Sequence, residues 1–296
     1  MSRIHDALKK AAEERAAHST ENSSKEVFEI TQEIHHPVPR TKEPPDLPGS
    51  ETPTNGRRPP LFEDLLKRCA HPRWDSDQLT NVFENDETKN AGAECFRILR
   101  SRIYDIAGQR SLKRILTTSS LSGEGKTFVA ANLARSIVRQ PERRVLLIDA
   151  DLRFPCLHLA FGAPSTPGLS EYLRGEVDEY GVIQSGPIEN LCIIPAGHEV
   201  NDPSELLLKD RMKTLLDFVT PMFDFVILDS PPAVPVHDAS SLADLSDGTL
   251  FVVRAGVTDH EVAEKGAAEF KNKNLLGVVL NGAGPDANYG PYYGKY

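Results

Sequence analysis

From about residue 87 onward the apolar residues gather in short unbroken runs, at 114–118, 145–149, 191–195, 225–229, 249–254 and 276–281. Runs of this length that do not alternate with polar residues read as strands buried on both faces. Between them, apolar positions recur at the three- and four-residue spacing of helices, over 87–107, 126–139, 211–219 and 259–271. Strands of this kind alternating with helices predict an α/β fold, a mainly parallel sheet with helices on both faces. No internal repeat interrupts the pattern.

Upstream the pattern changes character. Ser2 can cap a helix, and Ile4, Ala7, Leu8, Ala11 and Ala12 fall on one stripe, which predicts an amphipathic helix over 1–17. A helix that short is marginal without packing. Residues 18–60 are rich in Ser, Thr, Glu and Pro, with Pro37, Pro39, Pro44, Pro45, Pro48, Pro53, Pro59 and Pro60 close together. Too few apolar residues remain there to offset ordering entropy, so the segment reads as a disordered arm. Over 61–85 the pattern is ambiguous, although Leu61, Phe62, Leu65, Leu66 and Trp74 offer apolar surface for docking.

Composition narrows the class. At 39% hydrophobic and 26% charged residues the chain has material for a sizeable core. No run approaches the roughly 18 apolar residues of a membrane helix, and the N-terminus lacks the apolar centre of a secretory signal, so a cytoplasmic location is expected. Cys69, Cys95, Cys156 and Cys192 have no metal or redox spacing and read as reduced thiols. The net charge is −9, while residues 1–60 hold nine Lys/Arg and ten Asp/Glu, so the negative charge belongs to the remainder. Nothing electrostatic recommends nucleic acid as a partner.

The segment Ser120-Leu-Ser-Gly-Glu-Gly-Lys-Thr127 stands between a predicted strand and a predicted helix, the setting of a phosphate-binding loop. Ser122, Gly123, Glu124, Gly125, Lys126, Thr127 and Phe128 form the expected nucleotide-binding set. The glycines let backbone amides approach the phosphates, Lys126 places a cation between the terminal phosphates, and the Thr127 hydroxyl suits magnesium. Ser120 replaces the first glycine of the usual pattern. Two predicted strands end in carboxylates, Asp149 with Asp151 in one and Asp229 in the other. In a parallel sheet these ends share one edge, where the acids would raise one another's pKa unless the magnesium of ATP sat among them.

Together these residues resemble the bacterial tyrosine kinases, the autokinases of capsule and exopolysaccharide export, over roughly 87–296. The most diagnostic piece is Leu146-Leu-Ile-Asp-Ala-Asp-Leu-Arg153. Asp229-Ser-Pro-Pro232, Pro203-Ser-Glu-Leu-Leu207 and Gly168-Leu-Ser-Glu-Tyr-Leu-Arg-Gly175 are further landmarks. The resemblance implies a P-loop NTPase of the signal-recognition/MinD-like (SIMIBI) class over 61–284, using ATP and magnesium. Lys126, Asp149 and Asp151 would be catalytic, with Asp149 orienting or deprotonating the acceptor tyrosine; which aspartate is the base stays open. Thr127, Asp151 and Asp229 would hold the metal.

Glu94, Arg97 and Arg100 match the family's oligomerisation motif and lie within about a third of a helical turn. The alternative is a solvated face with a Glu94–Arg97 pair worth a few tenths of a kcal/mol. The resemblance favours a ring of identical subunits. The tail over 285–296 places Tyr289, Tyr292, Tyr293 and Tyr296 among Gly and Pro without aliphatic neighbours, and reads as the autophosphorylation cluster. The membrane helices of fused relatives are missing, which implies a separate transmembrane activator and a peripheral place at the membrane. Partition and septum-placing ATPases are the rival class, but carry a lysine where Leu121 stands here. A nucleotide-binding scaffold of the export machinery is the other.

Overall fold

The computed structural model describes residues 61–75, 80–83, 91–208, 210–234 and 236–283. The expected helix over 1–17, the arm over 18–60 and the tail with its four tyrosines lie outside the described residues. Seven strands follow in chain order: β1 (Arg114–Ser119), β2 (Val145–Asp149), β3 (Gln184–Ser185), β4 (Leu191–Ile194), β5 (Phe225–Asp229), β6 (Gly248–Arg254) and β7 (Leu275–Asn281). The helices are α1 (Phe62–Arg68), α2 (Ala91–Ala107), α3 (Lys126–Val138), α4 (Leu157–Phe161), α5 (Leu169–Arg174), α6 (Pro203–Leu207), α7 (Asp210–Val219), α8 (Asp238–Ala243) and α9 (His260–Ala268). The strands form one sheet in the order β3-β4-β2-β5-β1-β6-β7, parallel throughout except for β3, which pairs antiparallel to β4.

Side-chain alternation along the strands builds two apolar layers from single runs of sequence. Leu146, Ile148, Val226 and Leu228 face one layer with Leu169, Leu215, Leu242 and Ala263 from the helices. Val145, Leu147, Phe225 and Ile227 face the other with Phe96, Leu99, Leu133 and Ile137. Each fully buried Leu, Val or Ile contributes about 1.5–3 kcal/mol, so β2 and β5, buried at every position, anchor the sheet centre. The apolar runs and the four expected helices all appear over the described residues, the first helix from Ala91 on, with the other ends shifted by a few residues at most. The ambiguous segment also docks: Phe62, Leu65 and Trp74 are buried, while Leu61 stays exposed just before α1. Ala70 then bridges Gln184 in β3, extending the edge of the sheet.

The short elements were not foreseen, and polar contacts explain them. In α5 the Glu171 carboxylate accepts from the Gly168 amide (2.7 Å) and the His198 amide (2.9 Å), with His198 Nδ1 at 2.5 Å. Gly197, at φ +90°, has to be glycine because a Cβ there would stand 2.1 Å from Glu171 Oε2. The GLSEYLRG landmark is thus a fastening between α5 and the segment after β4. Burial alone would push the Glu171 carboxyl up, but the His198 and Gly168 amides and the His198 ring outweigh it and hold the group below its usual range.

A carboxylate with a depressed folded pKa contributes stability above its unfolded pKa of about 4.3 and loses it as pH falls through the folded value. Glu171→Gln should therefore lower the unfolding free energy by about 1–2 kcal/mol at pH 7, with the gap to wild type closing below about pH 4. Denaturant titrations across that range check it; a gap independent of pH would assign the loss to packing instead.

Candidate active site

The phosphate loop links β1 to α3. Gly123 and Gly125 take positive φ, +82° and +94°. Gly125 is constrained twice, since a Cβ on it would also fall 2.0 Å from Asn281 Nδ2. The backbone amides of Gly123, Glu124 and Gly125 donate to no group among the described residues. Unpaired amides at the start of a helix, with its partial positive charge, make a cradle for an anion.

The carboxylates meet beside it. Asp149 and Asp229 are register partners at the ends of β2 and β5. Lys126, Asp149, Asp151 and Asp229 are all buried, and Lys126 Nζ lies 3.8 Å from Asp151 Oδ2. Asp149 accepts from the Asp151 amide (3.2 Å) and the Leu157 amide (3.0 Å), and so shapes the turn that presents Asp151. Asp151 accepts from the Phe154 amide at 3.1 Å. Among the described residues neither oxygen of Asp229 accepts a hydrogen bond, and the Thr127 hydroxyl lies beside it outside hydrogen-bond geometry.

Protonation follows from this enclosure. Burial, then the charge of Asp229, pushes Asp149 well above the usual carboxylate range. Burial raises Asp229 to about 7 against the opposing charge of Lys126. Asp151 is also raised by burial, again countered by Lys126. The mutual repulsion expected from the sequence is present, but desolvation is the larger cause. Orphaned oxygens on Asp229 beside a hydroxyl and Asp151 are a hard-oxygen donor set that fits magnesium. Among the described residues no group of three or more His, Cys, Asp or Glu can hold a metal by itself, so the ion would share its ligands with the nucleotide phosphates.

Several expected site residues play other parts. Ser122 is exposed on the loop, but the Glu124 side chain turns inward. Its carboxylate accepts from the Leu121 amide (2.6 Å) and from the Thr258 hydroxyl. Phe128 packs against Phe96, with ring centroids 5.8 Å apart. Glu94 and Arg97 pair at 2.9 Å, whereas Arg100 reaches the Ser136 carbonyl in the last turn of α3 at 2.6 Å. The three thus do not act as one unit within the chain.

The sequence also held residues whose connection it did not reveal. Arg153, the arginine after the paired aspartates, donates to Asp238 (2.8 Å) and Ser204 (2.7 Å), and Ser204 donates to Asp238 at 2.5 Å. This triad fastens the segment after Asp151 to α6 and α8. Arg153 and the PSELL run were visible as landmarks; nothing in the sequence joined them to Asp238.

A phosphate cradle opening a helix, beside strand-end aspartates that call for a cation, defines a P-loop nucleotide-binding protein. Residues 113–271 match the AAA domain family. Tyrosine-protein kinase YwqD of Bacillus subtilis is 36% identical over 219 residues, 72% of this chain and 91% of that protein. Tyrosine-protein kinase etk of Escherichia coli is 34% identical over 199 residues, 67% of this chain but 27% of that protein. The solved kinase domain of the Escherichia coli tyrosine kinase ETK superposes with a TM-score of 0.65 at 30% identity, covering 73% of this chain and 84% of that one. The chain belongs to the bacterial tyrosine-protein kinases, and its enzyme class is protein-tyrosine kinase. Among the described residues no helix is long and apolar enough to cross a membrane.

The raised Asp229 pKa carries a sign. The folded protein keeps this proton to higher pH than the unfolded chain does, so nucleotide-free stability falls as pH rises from about 4 toward about 7. Asp229→Asn should relieve this, raising the nucleotide-free melting temperature at pH 8 by roughly a few degrees and much less at pH 5. A variant that melts no higher than wild type at pH 8 would contradict the electrostatic account.

Proposed function

We propose that the protein uses magnesium-ATP to phosphorylate Tyr289, Tyr292, Tyr293 and Tyr296 of a neighbouring copy, within a ring of identical subunits, and so regulates capsule or exopolysaccharide synthesis with a separate transmembrane activator. The observation that carries the reading is the convergence of Lys126, Asp151 and the orphaned Asp229 at the sheet edge where β7 ends. The root of the tail sits there too, since the Asn281 side chain donates to the Glu124 carbonyl at 2.9 Å. From Asn281 to Tyr289 the chain can extend at most about 26–29 Å, and to Tyr296 about 50 Å. Those lengths serve a neighbour's site as well as the chain's own, and the family resemblance favours the neighbour.

In this reading the loop amides and Lys126 hold and orient the phosphates. Thr127, Asp151 and Asp229 would hold the magnesium, which supplies charge neutralisation when bound. Asp149 keeps the turn carrying Asp151 in place, and orients the acceptor hydroxyl or takes its proton; its raised proton affinity supports that use. The part exposed Glu94–Arg97 pair and the exposed Ile98 give α2 a face for subunit contact. Arg100 donates to the Ser136 carbonyl, and Arg97, which pairs with Glu94, is the residue chosen to probe that contact.

The decisive experiment mixes a Lys126→Ala protein that keeps its tail with an active protein whose four tail tyrosines are phenylalanine. Mass spectrometry should find phosphate on the inactive partner. A bare partner tail, with wild type labelled at a rate independent of concentration, would refute transfer in trans. ATP hydrolysis without any phosphotyrosine would favour a partition-type ATPase. Separately, Arg97→Ala should lower the assembled mass of unphosphorylated protein in light scattering, and an unchanged mass would remove α2 from the subunit contact.

A further inference from the structure

The phosphate loop is held from one side by a set of donors that phosphate chemistry does not require. Arg254, at the end of β6, donates through Nη1 to the Gly123 carbonyl at 3.2 Å. Asn281, at the end of β7, donates through Nδ2 to the Glu124 carbonyl at 2.9 Å. Arg254 and Asn281 are register partners, so adjacent strands deliver adjacent donors to adjacent carbonyls. Thr258, four residues beyond Arg254, donates its hydroxyl to the Glu124 carboxylate, which in turn accepts from the Leu121 amide. The Thr258 oxygen also accepts from the Arg254 amide at 3.2 Å, tying this corner to the strand end.

A trans peptide sets its N–H opposite its C=O. Fixing the carbonyls of Gly123 and Glu124 toward β6 and β7 therefore points the amides of Glu124 and Gly125 the other way. In the strand order, β5 and β2 lie on that other side of β1; they end in Asp229 and Asp149, and Asp151 follows two residues after β2. The clamp thus aims the free amides at the side where the carboxylates wait. It also gives the two outward carbonyls partners at the one point where the loop has left β1 and not yet entered α3. The approach of Asn281 is the reason position 125 has no room for a Cβ.

We infer that Arg254, Thr258 and Asn281 are positioning residues that pre-set the phosphate loop for nucleotide, with Glu124 as the post they fasten to. They touch no phosphate in this account; they act through the orientation of two peptide planes. The clamp rests on the reading of this loop as the nucleotide site, and it is independent of which tyrosine receives the phosphate. Without it the amides have to be ordered at the moment of binding, which weakens affinity while the loaded site still reacts.

The test measures Mg-ADP affinity by calorimetry on the full chain, together with the nucleotide-free melting temperature. Thr258→Val, which keeps the shape and removes the hydroxyl, should weaken Mg-ADP binding about tenfold, the scale of one hydrogen bond to a charged group. Asn281→Asp, which puts an acceptor against the Glu124 carbonyl, should weaken it by at least as much. Both should melt close to wild type, and Thr258→Ser should restore wild-type affinity. In kinase assays the loss should appear in KM for ATP, with kcat nearly kept. Unchanged Mg-ADP affinity in Thr258→Val and Asn281→Asp would overturn the proposal. So would a failure of Thr258→Ser to rescue, or a drop in melting temperature that parallels the lost affinity. Wild-type protein that does not bind Mg-ADP would instead overturn the assignment of the loop itself.

Discussion

Three carboxylates and one ammonium are shut away from water at the carboxyl edge of this sheet, and most of the molecule's design follows from that. A buried carboxylate costs several kcal/mol unless it is neutralised by a proton, a partner or a metal. Among the described residues Lys126 lies within ion-pair distance of Asp151 alone, at 3.8 Å. Asp149 is bonded by two amides, and among the described residues neither oxygen of Asp229 accepts a hydrogen bond. The surrounding fold has to be stiff enough to hold the groups together without relief. Two fully buried strands in register, each backed by an apolar layer, supply that stiffness.

The same tension suits the chemistry of the family. Burial makes Asp149 and Asp229 hold their protons above the usual carboxylate range, and a cation brought by the nucleotide would take the place of those protons. The phosphates meet the opposite situation on the other side, where amides without partners face them. Carboxylates on one flank and unpaired donors on the other would divide the loading of the site between metal and phosphate, since among the described residues no group of three or more carboxylates, histidines or cysteines can hold a metal by itself.

The edges of the sheet serve the centre. Arg153 reaches Asp238 and Ser204, so the turn after Asp151 is pinned to α6 and α8. Arg254, Thr258 and Asn281 pin the phosphate loop from the opposite flank. Since β7 is also the strand from which the tyrosine-rich tail departs, the root of the tail and the nucleotide loop share one side chain.

The sequence by itself determined the strands, because a run such as Val145-Leu-Leu-Ile-Asp149 carries its burial on both faces in its composition. It determined the loop as well, since Gly123, Gly125, Lys126 and Thr127 stand at fixed spacing between a strand and a helix. It placed Asp149, Asp151 and Asp229 on one edge, because parallel strands end together. The tertiary structure alone decided the rest, and the reason is the distance along the chain. Glu124 meets Thr258 and Asn281 across 134 and 157 residues, and Arg153 meets Asp238 across 85. No local periodicity encodes such contacts; they exist only once the strand order brings β6 and β7 beside β1. The same holds for burial as the main cause of the raised carboxyl pKa values, which depends on how completely the two apolar layers close over the strand ends. It holds too for Glu124, whose side chain is buried, and for Phe128 in the first turn of α3, which is half-buried against Phe96.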